Sequence, residues 1–176
     1  MGFSRKRQTT REHTGFSLVE LLIIVAIILI IAAIAIPRLL RSRMASNESS
    51  IVGSLRTINT AIVTYATTYD GGYPPALQTL GPPLSVEQSE SCQSARLIDS
   101  LLASGRKSGY TIEYSPGPTV AKHKPGCPPG VKTYALIARP SQYSSPTERS
   151  FFTDESGIIR ATSENRAAGP NDPPIN

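Results

Sequence analysis

The chain has 176 residues, a formal net charge of +5, 39% apolar residues, two cysteines and no tryptophan. That length suits one exported domain behind one membrane segment and excludes two full domains. Residues 1–15 hold Arg5, Lys6, Arg7 and Arg11 against Glu12, so +3 of the +5 sits there, and the remaining +2 is too thin a surplus to argue for a nucleic-acid partner.

From Phe16 to Ile36 the chain is almost uninterrupted hydrocarbon, FSLVELLIIVAIILIIAAIAI. As a helix this run reaches about 30 Å, the thickness of a bilayer's apolar layer, so it is read as a membrane-spanning segment. The bilayer is therefore an expected partner. Cations flanking such a segment stay in the cytoplasm, which places the N-terminus inside and everything after Ile36 on the exported side. An ordinary secretory signal would offer Ala33-Ile34-Ala35 as a cleavage pattern, but its apolar region spans only about 7–15 residues, shorter than this one. A plain anchor would explain length and charge, yet leaves Glu20 unexplained, and an unpaired acid near mid-bilayer costs at least ~2.5 kcal/mol.

After Ile36 the composition turns abruptly to Pro37, Arg38, Arg41 and Arg43. Pro37 removes the helical bond to Ala33 and predicts a kink there. The helix resumes, because Ile51, Leu55, Ile58, Ile62, Tyr65 and Tyr69 step by four and three residues and lay one apolar stripe along it. Asn47, Glu48 and Gly53 interrupt the pattern and suggest a looser stretch. Asp70-Gly71-Gly72-Tyr73-Pro74-Pro75 ends the helix.

Residues 76–107 read as a connection holding one short helix over Ala95, Leu97, Ile98, Leu101 and Leu102, stopped by Gly105. Strands are predicted at Tyr110–Tyr114 and Thr133–Ala138, and a hairpin joins Ser150–Thr153 to Ile158–Thr162 through Asp154-Glu155-Ser156-Gly157. The fold class is therefore α+β: a long N-terminal helix, half membrane-spanning and half amphipathic, packed on a small antiparallel sheet of three to four strands. The organisation reads as a basic leader 1–15, an apolar helix 16–36, its amphipathic continuation 37–69, a globular head 70–166 and a flexible tail 167–176.

Thr14-Gly15-Phe16-Ser17-Leu18-Val19-Glu20, followed by the apolar run and Pro37, resembles the leader junction and first helix of type IV pilins and of the related type II secretion pseudopilins. The resemblance runs from Gly15 to about Tyr69, with Leu29 where many members carry a glycine. It implies that a prepilin peptidase cuts between Gly15 and Phe16 and methylates the new Phe16 amine. It further implies that Glu20 assists assembly, and that the subunits polymerise into a helical filament with help from an inner-membrane platform and its ATPase. The subunit would sit in the inner membrane, then in a surface pilus or a periplasmic pseudopilus. Physical chemistry agrees with the role of Glu20, since a carboxylate one helical turn from a freshly made amine lies at the same depth and can neutralise it, within one chain or between neighbours. Two rival roles are a pseudopilin or minor pilin, and an anchored exported binding domain that never polymerises.

Cys92 and Cys127 both fall on the exported side, where they would pair, closing a loop of about 36 residues worth about 3–4 kcal/mol in chain entropy. Zinc lacks ligands, since His123 is the sole histidine beyond the leader. Asp154 and Glu155 fall short of a calcium site, which takes six to eight oxygens, and serve the hairpin turn instead. Lys122-His123-Lys124 reads as a solvated loop with no aromatic neighbour for base stacking. Asn47-Glu48-Ser49 fits a glycosylation triplet but lies on a predicted helix. No phosphate-binding glycine loop, nucleophile turn or metalloprotease helix is present, so no catalytic residue, cofactor or metal is assigned and no enzyme is expected.

Overall fold

The computed structural model describes residues 16–69, 71–83, 89–121, 124–143 and 148–175. Two compact units divide at Ser42 and Arg43. A single helix, α1, spans Leu18–Tyr69 and contributes to both, with Pro37 inside it.

In the first unit, α1 begins with the bond from Leu21 N–H to the Ser17 carbonyl, 3.2 Å. Its large apolar side chains have no protein cover, from Ile24 at 42% exposed to Leu18 at 78%. By length and composition this helix is able to cross a membrane.

The second unit has its own core. Here α1 buries Ile51, Ser54, Leu55, Ile58, Ala61, Ile62 and Tyr65, the stripe expected from its four-three spacing. That stripe packs on a five-stranded antiparallel sheet whose strands follow chain order: β1 Arg106–Lys107, β2 Tyr110–Pro116, β3 Tyr134–Pro140, β4 Ser150–Asp154 and β5 Arg160–Thr162. Every second residue faces the helix: Tyr110 and Ile112 on β2, Tyr134, Leu136 and Ala138 on β3, Phe151 on β4 and Ala161 on β5. The register joins Ile112 to Ala138, Ala138 to Phe151 and Phe151 to Ala161, one continuous apolar row across the sheet.

The sheet has one strand more than expected. β1 is two residues of Arg and Lys with no apolar alternation, so pattern alone does not reveal it. A two-residue turn makes it: Ser108 and Gly109 both have positive φ, 48° and 79°, the geometry of a tight hairpin whose twist matches its strands. Ser108 is an unusual occupant of that conformation, and its Oγ lies 2.8 Å from Ser50 Oγ, tying the hairpin to α1.

The expected helix over 95–102 shrinks to α2, Ser100–Ala103. Asp99 caps it by accepting the Leu102 N–H at 2.8 Å, and Arg96 at φ 51° breaks any earlier turn. Residues 95–98 instead bond along the 3₁₀ turn Leu77–Leu80, with Ala95 N–H to Thr79 and Leu97 N–H to Leu80. The hairpin at 154–157 forms as expected, closed by Gly157 N–H to the Asp154 carbonyl. Residues 167–175 lie along β5: Ala161 N–H bonds Pro173, Ile175 N–H bonds Ile159, and Ala168 is buried.

Candidate functional site: the N-terminal segment and the head

Gly15 lies outside the described residues, as do Lys122 and His123. Phe16 precedes α1 and is 68% exposed. Glu20 falls in the first turn of α1, exposed, one turn beyond Phe16, and has no ion-pair partner among the described residues. The positive end of the helix dipole is its nearest compensation. The structure thus presents, at one end of a bare apolar helix, an aromatic residue and, one turn further on, an acid.

Cys92 and Cys127 are joined, with Cα atoms 5.5 Å apart. The bridge ties the 89–99 connection to the loop between β2 and β3. Tyr65 on α1 donates its hydroxyl to the Cys92 carbonyl at 2.7 Å, so the bridge is also fixed to the helix. A backbone pair between Tyr73 and Val131, 2.9 Å in both directions, closes the far side of the same loop. Gly130 is required there, because a Cβ would stand 1.9 Å from the Gly71 carbonyl oxygen.

Besides the Ser50 and Tyr65 contacts, two polar clusters tie α1 to the head, one at Glu48 and one at Asn59. Glu48 accepts the Arg149 backbone N–H at 3.1 Å and the guanidinium Nε and Nη2 at 3.0 and 2.8 Å, while the Arg149 guanidinium also stands over the Phe151 ring. Asn59 donates to Thr153 Oγ1 at 2.9 Å and accepts from the Tyr134 hydroxyl at 3.2 Å. Ser54 bonds back to the Ser50 carbonyl and spends its hydroxyl within the helix. The stretch around Glu48, expected to be loose, is therefore continuous helix with a fork-shaped cation on its acid.

Beside Glu48 lies an open cleft of about 790 Å³, lined among others by Arg56, Arg149, Glu164, Arg166 and Asp172. Its acids are spent on arginines: Asp172 takes both Arg166 amino groups and the Gly169 N–H. Those hydrogen bonds, the Arg166 ones foremost, lower the Asp172 pKa to about 2 and raise that of Arg166. Among the described residues no group of three or more His, Cys, Asp or Glu could hold a metal. Asp154 accepts from Ser156 N–H and Oγ, so its carboxylate serves the hairpin turn.

The bare helix with its acid in the first turn is the feature to compare with known proteins. The family model of the prokaryotic N-terminal methylation motif matches residues 11–36, which contain both Gly15 and Glu20. The N-terminal segment carries that motif and is similar to the corresponding segment of a type IV pilin. A curated relative, the type IV wide pilus major component PilA4 of Thermus thermophilus, is 47% identical over 45 residues, which cover 26% of this chain. The chain spans 34% of that relative's length. No solved structure matches it significantly. The methylation motif covers the apolar run up to Ile36, and the disulfide-bonded head with its antiparallel sheet lies outside the matched residues.

Proposed function

We propose that this chain is the structural subunit of a type IV pilus-like filament, made as a precursor and cut between Gly15 and Phe16. The observation that carries the reading is the methylation motif over residues 11–36 on a helix whose apolar side chains have no cover of their own. Before assembly, lipid covers them; after assembly, the same helices of neighbouring subunits do. Cleavage creates an amine on Phe16, and Glu20 of an adjacent subunit neutralises it, fixing axial register more than adding stability. A prepilin peptidase that also methylates Phe16, and an inner-membrane platform with its ATPase, are the partners this scheme requires. The head stays on the exported side and contributes the filament surface.

The relative is described as a major component of a wide pilus, which favours the major-subunit role over that of pseudopilin or minor pilin. Shearing filaments from cells and sequencing the N-terminus of their main component tests this. A methylated Phe16 start in the bulk subunit is expected. A trace amount assigns the chain to a minor role, and absence from all filaments leaves an anchored binding domain. A start beyond Pro37 would refute the filament reading outright, because the apolar helix would have been discarded.

A further inference from the structure

The apolar run ends at Ile36, and three arginines follow within seven residues: Arg38, Arg41 and Arg43. All three are exposed, and none has a carboxylate partner among the described residues. That sets them apart from Arg149 and Arg166, which are held by Glu48 and by Glu164 and Asp172. The sole acid described in the first unit is Glu20, eighteen residues before Arg38 and so about 27 Å away along the helix. Glu48, further along α1, is taken by Arg149, and no described carboxylate of the first unit reaches Arg38 or Arg41.

We propose that Arg38 and Arg41 bind the phosphates of anionic phospholipids at the exported face of the membrane. The proposal rests on the reading of residues 16–36 as a membrane anchor. Position chooses the ligand. From Arg38 to Arg41 the helix rises about 4.5 Å, which fits inside the headgroup layer of about 5–8 Å left when the hydrocarbon core is taken from a whole bilayer. Arg38 and Arg41 stand three residues apart and share a helix face. Guanidinium binds phosphate through two parallel N–H bonds, and the long arginine stems lie along apolar surface while their heads reach outward.

The charge count adds a second argument. Lys and Arg near the exported end of a membrane helix oppose its orientation, and here three of them face four in the leader. Once the leader is removed, the cations at the exported end are the larger charge on the anchor. They then hold the subunit at a fixed depth in the outer leaflet, and extraction into a filament has to exchange lipid phosphates for other acceptors.

The test uses the full chain reconstituted into phosphatidylcholine vesicles containing a minor share of phosphatidylglycerol. Native mass spectrometry reads which lipid stays bound. Wild type is expected to retain phosphatidylglycerol preferentially, and each arginine replaced in the series R38Q, R38Q/R41Q is expected to lower that preference up to about fivefold, with insertion unchanged. Equal lipid selectivity in wild type and double variant, both inserted, would overturn the proposal. Loss of the bound lipid on adding excess inorganic phosphate would also overturn it, by making the arginines a free-anion site. Release of wild type by alkaline carbonate would instead sink the anchor reading, and this proposal with it.

Discussion

Replacing Asn59 by alanine tests how the head is locked to α1. Asn59 is the shared partner of two buried hydroxyls: Thr153 is wholly buried and Tyr134 is 4% exposed. Truncation deletes one donor and one acceptor at once, and each hydroxyl left unpaired in the interior costs about 1–3 kcal/mol. The expected loss is therefore about 2–5 kcal/mol out of a typical total of about 5–15. In urea, at a slope of about 1–3 kcal/mol per molar, the midpoint should fall by at least about 0.7 M with the slope unchanged. The assay is equilibrium unfolding of a fragment starting at Arg43, disulfide intact, followed by circular dichroism. A cycle with Thr153→Val sharpens it, because removing both partners leaves fewer orphans than removing either, and the double variant should lose less than the two singles together. A loss under about 0.5 kcal/mol for Asn59→Ala, or additivity of the pair within about 0.5 kcal/mol, would refute the network.

Four further outcomes follow from the same structure. Burial raises the pKa of Tyr65, Tyr110, Tyr114 and Tyr134 above the ordinary phenol value, with a smaller push from Tyr69, Glu48, Tyr134 and Tyr73 respectively. The stability these groups confer is whole below pH ~10, where unfolded tyrosine ionises, and is lost as pH climbs past it. An absorbance titration should thus leave four of the seven tyrosines neutral until the fold opens, and reversible ionisation of all seven near pH ~10 in a folded head would contradict the burial. Asp172, held at about 2 by Arg166, contributes stability that is present above the unfolded carboxylate value of ~3.9 and disappears as pH falls through its own folded value. Asp172→Asn should flatten the acid limb of the stability curve between those values, and an unchanged limb would deny the clasp. Glu20→Ala should leave insertion intact and cut filament yield, a yield equal to wild type being the contrary result. Reducing the Cys92–Cys127 bridge should cost about 3–4 kcal/mol for a 35-residue separation, a drop below about 1 kcal/mol counting against that loop-entropy estimate.

What could be read from the residues alone was whatever depends on neighbours along the chain. The apolar run, the acid at Glu20 and the four-three stripe from Ile51 are periodic over tens of residues, so propensity and burial agree at every position. The hairpin through Asp154 and Gly157 has the same local logic, a turn sequence between two alternating segments. The disulfide was legible from compartment and count. What stayed hidden is long-range. Glu48 meets Arg149 across 101 residues, and Asn59 meets Thr153 across 94. Along the chain Glu48 is only a polar residue interrupting an apolar stripe and Asn59 a polar neighbour of one, so nothing local marks either as a contact to the sheet. The helix at 95–102 failed for the opposite reason: its spacing was right, but Asp99 makes a better cap than interior residue, and the preceding segment finds its backbone partners in Thr79, Leu80 and Gly81.

The two units differ in what they still need. In the head no buried side-chain polar atom lacks a partner among the described residues, and the apolar stripe of α1 is covered by its own sheet. In residues 16–42 the reverse holds, because the large apolar side chains are bare and Glu20 has no ion-pair partner. A helix of that kind is complete only with company, in lipid or among copies of itself. Moving it from lipid to other helices brings little hydrophobic gain, since hydrocarbon tails are as apolar as leucine. If the chain polymerises, the selectivity of that exchange must then come from close packing and from the compensation of Glu20, and the work of lifting the helix out of the bilayer must come from elsewhere. A filament built this way should be cohesive once formed yet unable to form from isolated subunits in a membrane.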